Sequence, residues 1–243
     1  MKYRYPFLFA CAGFLFASST VDAQNIQIMP FGDSMTAFGT SPEWSYRYWL
    51  FVDLTNAGFF NFDFIGNQNG VAGGGAPAND WPEESYEGGA DDDGIDTAGG
   101  LDIAQSDAAS RSPDVVLLEL GANDVFSGIP PSQSAANLES IVQAFATVNP
   151  NVVVVIATPP KFKPDPTLPK QEQNQERNAL AKVDGVIGKV VSTERKAGVN
   201  ITQVSLGGFS PKTDSSDGTH PNVKGEQFIA KQFFNGLKRA KVF

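Results

Sequence analysis

The amino-acid sequence predicts a single α/β domain in which helices cover both faces of a parallel sheet. Two nearly continuous apolar runs, at residues 115–120 and 152–157, are typical of parallel strands that are buried on both faces. Segments with helical periodicity lie between and around these runs, so that strands and helices alternate along the chain. No internal repeat or linker divides the sequence. We therefore predict a three-layer α/β/α sandwich around a five-stranded parallel sheet.

The predicted elements follow one another along the chain. Strands are indicated by β-rich apolar runs at residues 26–31, 62–65, 115–120, 152–157 and 201–204. Helices are indicated by apolar side chains at three- and four-residue spacing around Leu50, Ile141, Ile187 and Phe233. Two long stretches, residues 66–100 and 158–170, fit neither pattern. Because loops of this length are uncommon in a compact domain, we expect both to be functional.

The first 23 residues have the pattern of a secretory signal peptide. Lys2 and Arg4 form a basic start, residues 6–17 are an apolar run too short to span a bilayer, and residues 21–23 offer a cleavage site. The alternative is a buried first helix. We expect a secreted, extracellular protein whose single domain covers residues 24–243 and contains no transmembrane segment.

Charge and composition exclude several classes of protein. The 243 residues include 18 basic and 27 acidic side chains, which gives a net charge of −9. Long-range repulsion by this charge argues against binding a nucleic-acid backbone or an anionic membrane. The sequence has one cysteine, Cys11, and one histidine, His220, so a Cys/His zinc site and a disulfide framework are excluded. A reaction that needs an imidazole must use His220.

A serine follows the first predicted strand, in the segment GDSMT that starts at Gly32. At a strand-to-helix turn the Ser34 hydroxyl is exposed, and neighbouring backbone N–H groups point to the same space, where they can stabilise an oxyanion. Aspartate and serine are also common N-caps of helices. On this segment alone, the catalytic and the capping interpretation are equally good.

Two further polar segments follow later strands. In GAND, residues 121–124, the Asn123 amide can donate to an oxyanion, although an Asx turn is the alternative. In DGTHPN, residues 217–222, Asp217 can hold one ring nitrogen of His220 while the other nitrogen faces a substrate. A histidine held in this way can take the proton of a serine hydroxyl and so activate it as a nucleophile. The alternative interpretation is a solvent-exposed histidine at the start of a helix.

The order of these segments resembles that of the SGNH hydrolase superfamily, also called GDSL-like esterases. GDSMT, GAND and DGTHPN resemble its nucleophile, asparagine and final blocks, and the resemblance extends over essentially the whole chain after residue 23. The segments IMPFGDSMT, FDFIGNQNG and YEGG look most like carbohydrate esterase family 3, the acetylxylan esterase group. The resemblance implies a flavodoxin-like sheet.

The resemblance also implies roles for the candidate residues. Ser34 would be the nucleophile, His220 the general base and then acid, and Asp217 the carboxylate that orients the imidazole. The backbone N–H of Ser34 and the side-chain amide of Asn123 would donate to the oxyanion.

The family's third oxyanion donor is a glycine N–H in the block after the second strand. Members usually show a histidine and a further glycine after the EG pair, whereas this sequence reads YEGGADDDGID. Gly88, Gly89 and Gly94 are candidates, and we favour Gly89. If none of them donates, the oxyanion hole has two donors.

Substrate contacts are expected around the nucleophile. The candidate contacts are Asp33, Trp44, Trp81 and Tyr86. The three aromatic residues would either stack on sugar rings or belong to the core. The acidic triplet Asp91–Asp93 would bind a cation such as calcium or, as we favour, form a solvated loop. No metal or other cofactor is implied.

These features together predict a secreted, monomeric serine esterase that removes acetyl or other small acyl groups from plant cell-wall polysaccharide such as xylan. One alternative is a lipid acylhydrolase of the same superfamily, but residues 66–100 are glycine-rich and polar rather than an apolar trough. A catalytically silent carbohydrate-binding protein is the other alternative. The placement of the only histidine beside Asp217 argues against it.

Overall fold

The computed structural model of the protein describes residues 25–37, 45–66, 68–69, 87–88 and 95–243. Several sequence-predicted features lie outside these residues: the signal peptide, Trp44, Trp81, Tyr86, Gly89 and Asp91–Asp93. Gly88 is described only as part of a short strand.

The described strands form two sheets. They are β1 (Ile26–Gly32), β2 (Phe62–Phe64), β3 (Gln68–Asn69), β4 (Glu87–Gly88), β5 (Val115–Glu119), β6 (Val153–Ala157) and β7 (Asn200–Val204). Five of them form a parallel sheet in the order β2-β1-β5-β6-β7, whereas β3 and β4 pair antiparallel by themselves. The predicted five-stranded parallel sheet is confirmed.

The described helices connect these strands. They are α1 (Ser34–Ala37), α2 (Tyr46–Asn56), α3 (Thr97–Arg111), α4 (Ala122–Ser127), α5 (Pro131–Val148), α6 (Lys170–Lys196) and α7 (Val223–Ala240). In the described part of the chain, none of them combines the length and the apolar character that crossing a bilayer requires.

The order of strands reverses at β1. The chain runs from β1 to β2 on one side, and then returns to the other side of β1 with β5. In an open α/β sheet, such a switch point opens a crevice at the carboxyl ends of the two diverging strands. The segments that follow β1 and β5 contain Ser34 and Asn123, so the topology brings them to the same crevice.

A hydrophobic core lies on each face of the central sheet. On one face, side chains from the sheet pack with the apolar stripes of α3, α5 and α6, including Phe145 and Ile187. On the other face, α2 and α7 contribute Leu50 and Phe233, both 0% exposed. Burial of one such side chain stabilises the fold by about 1.5–3 kcal/mol. The three-layer architecture thus follows from the apolar periodicity of the sequence.

Helix α3 corrects the sequence prediction. Residues 66–100 are predicted to be a loop, and no helix is predicted between the second strand at residues 62–65 and the third at residues 115–120, yet α3 begins at Thr97. Its sequence has weak apolar periodicity and two glycines in the first turn, so the periodic pattern is missing. Its local start signal is Asp96, the N-cap, whose side chain accepts hydrogen bonds from the N–H groups of Ala98 and Gly99, each 3.0 Å.

Candidate active site

Ser34 lies directly beyond the carboxyl end of β1, at the first residue of α1. The sharp turn requires glycine at position 32, because a Cβ there would lie 2.1 Å from Thr36 Oγ1 and 2.6 Å from the Glu119 backbone oxygen. Ser34 is 6% exposed. Among the described residues, its backbone N–H makes no hydrogen bond, so this donor is free to meet a substrate oxygen.

A chain of hydrogen bonds joins Ser34 to His220 and Asp217. The Nε2 atom of His220 lies 3.1 Å from Ser34 Oγ, and its Nδ1 atom lies 2.7 Å from Asp217 Oδ2. In this geometry the carboxylate holds the imidazole so that Nε2 faces the hydroxyl. The structure therefore brings together three residues separated by up to 186 positions along the chain.

The Asp217 carboxylate also shapes the turn that presents the histidine. Its Oδ1 atom accepts hydrogen bonds from the backbone N–H groups of Thr219 and His220, each at 2.8 Å. Gly218 between them has φ of +100°, a conformation that favours glycine, and its carbonyl accepts a 2.7 Å hydrogen bond from the Lys163 N–H. Position 218 is thus a glycine for a structural reason.

The electrostatics of the turn favour an ionised Asp217. Partial burial alone would raise the pKa of Asp217, but hydrogen bonds from the His220 ring and from the backbone N–H groups of Thr219 and His220 outweigh it and lower that pKa. The carboxylate is therefore charged at neutral pH. It stabilises an imidazolium at His220 if one forms during turnover.

Asn123 is brought to the same crevice by α4. Gly121, with φ of +118°, allows the chain to turn sharply between β5 and α4. The Asn123 side-chain amide then donates to the Ile95 carbonyl at 2.9 Å and to Asp33 Oδ2 at 3.3 Å. The second bond is long, and it points to the residue that precedes the nucleophile. Asn123 thus ties three segments together beside Ser34.

Asp33, predicted as a substrate contact, lies almost fully buried beside Ser34. It is 1% exposed, and its Oδ1 atom accepts a 2.9 Å hydrogen bond from the Met35 N–H while Oδ2 receives the Asn123 amide. Its backbone carbonyl accepts from the N–H groups of Thr36 and Ala37. The carboxylate therefore organises the turn at Ser34 from inside, while Asp33 also lines the pocket at Ser34, and its role as a substrate contact stays a prediction.

A second buried carboxyl group, Glu119, lies next to Asp33 at the end of β5. Glu119 is 0% exposed, and its carboxyl oxygens form no hydrogen bond of ordinary geometry among the described residues. Burial, followed by the negative charge of Asp33, raises the pKa of Glu119 well above its usual value. Burial likewise raises the pKa of Asp33 to about 6. Asp33 is thus mostly ionised at neutral pH, while Glu119 keeps its proton to a higher pH than a solvated glutamate does.

The raised pKa of Glu119 predicts how stability depends on pH. The folded state keeps a proton that the unfolded chain loses as the pH rises past the ordinary glutamate pKa of 4.5, so the wild type loses stability over that range. Glu119→Gln cannot ionise and keeps this part of the stability. We expect the melting temperature of the variant, relative to the wild type, to rise as the pH increases above about 4.5.

Thermal unfolding followed by circular dichroism at several pH values would check this expectation. Glu172→Gln is a suitable control, because it removes an exposed carboxylate near the start of α6 and should leave the pH dependence unchanged. Parallel melting profiles for wild type and Glu119→Gln would show that Glu119 is not held neutral.

A small pocket opens at Ser34. Its cavity volume is about 20 Å³, and the residues that line it are Asp33, Ser34, Met35, Ala122, Asn123, Phe126, Pro160, Lys161, Phe162 and Thr219. A cavity needs about 10–15 Å³ to hold one water molecule, so this space suits a methyl-sized group. The rings of Phe126 and Phe162, 4.8 Å apart, form one wall. Phe126 is 55% exposed at the mouth, whereas Phe162 is 7% exposed.

Two site residues escaped the sequence analysis. Glu119 was counted as part of an apolar strand, although a carboxylate in such a run is itself a signal of a buried polar cluster. Asp124 of GAND was not singled out. Its carboxylate accepts hydrogen bonds from the Thr97 backbone N–H at 2.8 Å and from the Thr97 hydroxyl at 2.9 Å. Asp124 thereby fixes the start of α3, close to the Ile95 carbonyl that holds Asn123.

Known proteins share this arrangement of the chain. Residues 31–228 match the sequence model of the family described as "GDSL-like Lipase/Acylhydrolase family". Esterase TesA of Pseudomonas aeruginosa is 27% identical over 146 residues, which is 60% of this chain and 66% of that relative. The chain thus covers just under two thirds of the length of that relative.

Solved structures are similar over nearly the whole chain. A family 3 carbohydrate esterase of Clostridium thermocellum has 27% sequence identity and a TM-score of 0.69, covering 90% of this chain and 98% of that one. A family 3 carbohydrate esterase of Talaromyces cellulolyticus has 22% identity and a TM-score of 0.72, covering 90% and 99%, and shows the same fold. The predicted resemblance is confirmed. This chain belongs to the GDSL-like lipase/acylhydrolase family.

Proposed function

We propose that the protein is a secreted serine esterase that removes acetyl groups from plant cell-wall polysaccharide such as xylan, acting as a monomer. The observation that carries the proposal is the hydrogen-bonded series from Ser34 through His220 to Asp217. A serine hydroxyl is a poor nucleophile until a neighbouring base takes its proton, and this geometry supplies the base and its orienting carboxylate.

The reaction would proceed through an acyl-enzyme. Ser34 Oγ attacks the ester carbonyl as its proton passes to His220 Nε2. The tetrahedral intermediate collapses, the bond to the sugar oxygen breaks, and His220 returns the proton to that oxygen. Water then attacks the acetyl-serine as His220 takes one of its protons, the bond to Ser34 Oγ breaks, His220 returns the proton to Ser34 Oγ, and acetic acid leaves.

The oxyanion would be held by two donors of the described residues. The Ser34 backbone N–H is free, and the Asn123 amide lines the same pocket. Because both Asn123 amide hydrogens have partners, the amide would reach the oxyanion by sharing or releasing the longer bond to Asp33. A hydrogen bond to a developing charge is stronger than this 3.3 Å contact, so the exchange favours the transition state.

The size of the Ser34 pocket supports acetyl over longer acyl groups. Space of about 20 Å³ accommodates a methyl group, and the nearly buried Phe162 closes one side. The printed names of two similar structures as family 3 carbohydrate esterases favour a carbohydrate as the alcohol part. Polysaccharide deacetylation also agrees with the signal-peptide pattern of the first 23 residues.

A chain-length series of p-nitrophenyl esters, measured beside acetylated xylan, tests the proposal. We expect kcat/KM to be highest for the acetate, with release of acetic acid from the polymer. A methylene in a pocket that cannot receive it is worth about 1–3 kcal/mol, so the butyrate should be at least roughly tenfold slower. A preference for octanoate or longer esters would identify a lipid acylhydrolase instead.

A further inference from the structure

A second, much larger cavity lies beside the Ser34 pocket. Its volume is about 890 Å³, near the upper end of the roughly 300–1,000 Å³ that is typical of small-molecule sites. Lys161 and Phe162 line both cavities, and Thr219 of the smaller pocket follows Asp217 and Gly218 of the larger one in sequence. We call this cavity the basic groove, because four cations line it: Lys161, Lys163, Arg177 and Lys212.

The charge of the basic groove is opposite to that of the whole chain. Four cations face two carboxylates, Asp184 and Asp217, whereas the chain carries a net charge of −9. Among the described residues, Lys161, Lys163 and Lys212 form no ion pair. The two carboxylates therefore offset the charge of the four cations only in part, and an anionic ligand would offset the remainder.

The Arg177 guanidinium can donate hydrogen bonds beyond the one that the structure shows. The hydrogen bond that the structure shows for it runs from Nη1 to Asn174 Oδ1, at 3.0 Å, within α6. A guanidinium matches the planar geometry of a carboxylate and can donate two parallel bonds to it. Phe162 and Leu180 also line the groove, and because they are 7% and 8% exposed they form an apolar wall behind the charged side chains.

We propose that the basic groove binds a uronic acid residue of the polysaccharide substrate, and that Arg177 and Lys212 recognise its carboxylate. The inference rests on the proposed polysaccharide function and names a narrower substrate class: acetylated chains that carry carboxylate-bearing side groups. Because the groove adjoins the Ser34 pocket across Lys161 and Phe162, a bound uronic acid would hold a nearby acetylated sugar at the nucleophile.

The test compares two forms of one polymer. Acetylated glucuronoxylan is used as such and after its uronic acid carboxyls have been reduced to alcohols. For the wild type, we expect a lower KM on the charged form. For Arg177→Gln and Lys212→Gln, the KM on the charged form should rise by up to about fivefold each, as exposed ion pairs allow, so that the two polymers become equal.

Salt and a control variant sharpen the comparison. At about 1 M salt, charges farther apart than about 3 Å are screened, so the wild-type preference for the charged polymer should disappear. Lys189→Gln, which changes an exposed lysine of the same helix outside the groove, should keep the wild-type preference. Equal KM values for the two polymers in the wild type, or a preference that survives Arg177→Gln with Lys212→Gln, would overturn the proposal.

Direct binding separates this proposal from the proposed function. A xylo-oligosaccharide that carries one glucuronic acid is titrated into the Ser34→Ala variant, which cannot turn over ester, and binding is measured by calorimetry. Binding that weakens with Arg177→Gln supports the proposal for the groove. If the wild type nevertheless fails to deacetylate xylan, that failure refutes the proposed function alone. Deacetylation of xylan without any such binding would refute the groove alone. If the variant binds a fatty acid and not the xylo-oligosaccharide, the groove accommodates an acyl chain and the proposal is overturned.

Discussion

Replacement of His220 by alanine is expected to reduce kcat on an acetyl ester by roughly a thousandfold or more. The chain has no other imidazole, so no second side chain of this type can take the Ser34 proton. The ring accounts for both the 3.1 Å contact to Ser34 and the 2.7 Å contact to Asp217. Residual activity would come from the oxyanion donors and substrate binding. Steady-state kinetics and the melting temperature are to be measured together.

Asp217→Asn is the matched variant for this experiment. The asparagine side-chain oxygen can still accept the backbone N–H groups of Thr219 and His220, so the turn should persist while the charge next to the imidazole is lost. We expect a large fall in kcat, because an amide N–H in place of the carboxylate favours the wrong tautomer of the ring. Retention of more than about a tenth of wild-type kcat by His220→Ala, with a normal melting temperature, would show that the base lies elsewhere.

Replacement of Asn123 by alanine is expected to lower kcat by roughly a hundredfold or more with little change in KM. The amide would act on the oxyanion, whose charge develops only in the transition state. The variant should also lose stability, since the hydrogen bonds to the Ile95 carbonyl and to Asp33 disappear. A typical hydrogen bond contributes about 0.5–1.5 kcal/mol. Asn123→Asp should be worse than alanine, because a carboxylate would repel both Asp33 and the oxyanion.

Asn137→Ala separates the two effects of Asn123. Asn137 is 5% exposed and donates a 3.0 Å hydrogen bond to the Thr97 hydroxyl, near the same start of α3 but outside the residues that line the Ser34 pocket. We expect this variant to lose comparable stability and to keep kcat. If Asn123→Ala behaves in the same way, with a lowered melting temperature and normal turnover, the amide ties segments together and has no part in catalysis.

The sequence alone predicted the sheet and the segments that carry the chemistry. The nearly continuous apolar runs at residues 115–120 and 152–157 are typical of strands covered on both faces, and they form β5 and β6 in the interior of the sheet. The polar segments that follow the strands could likewise be recognised from local sequence. A serine, an asparagine and an Asp-His pair at strand ends converge, because parallel strands place their carboxyl ends at one edge of the sheet. The only histidine restricted the choice of base further.

Helix α3 is an element that local sequence patterns did not predict. Its sequence, with Gly99 and Gly100 in the first turn, has poor helix propensity, and its start is fixed by Asp124 from a distant segment. Gly100 gives room to a neighbour, since a Cβ there would lie 2.6 Å from Cδ1 of the buried Leu120 side chain, which would have to move. Neither contact can be seen in a local window of sequence, because both partners come from beyond the next strand.

The tertiary structure also decided the state of Asp33 and the position of the basic groove. By sequence, Asp33 is a polar residue beside the nucleophile and therefore a plausible substrate contact. In the fold, β1 and β5 place it against Glu119 inside the protein, where burial raises the pKa of both carboxyls. The groove cations are likewise spread over residues 161–212. Local sequence thus identified the candidate reactive groups, whereas burial and long-range proximity, which depend on the packed chain, set their pKa values and their neighbours.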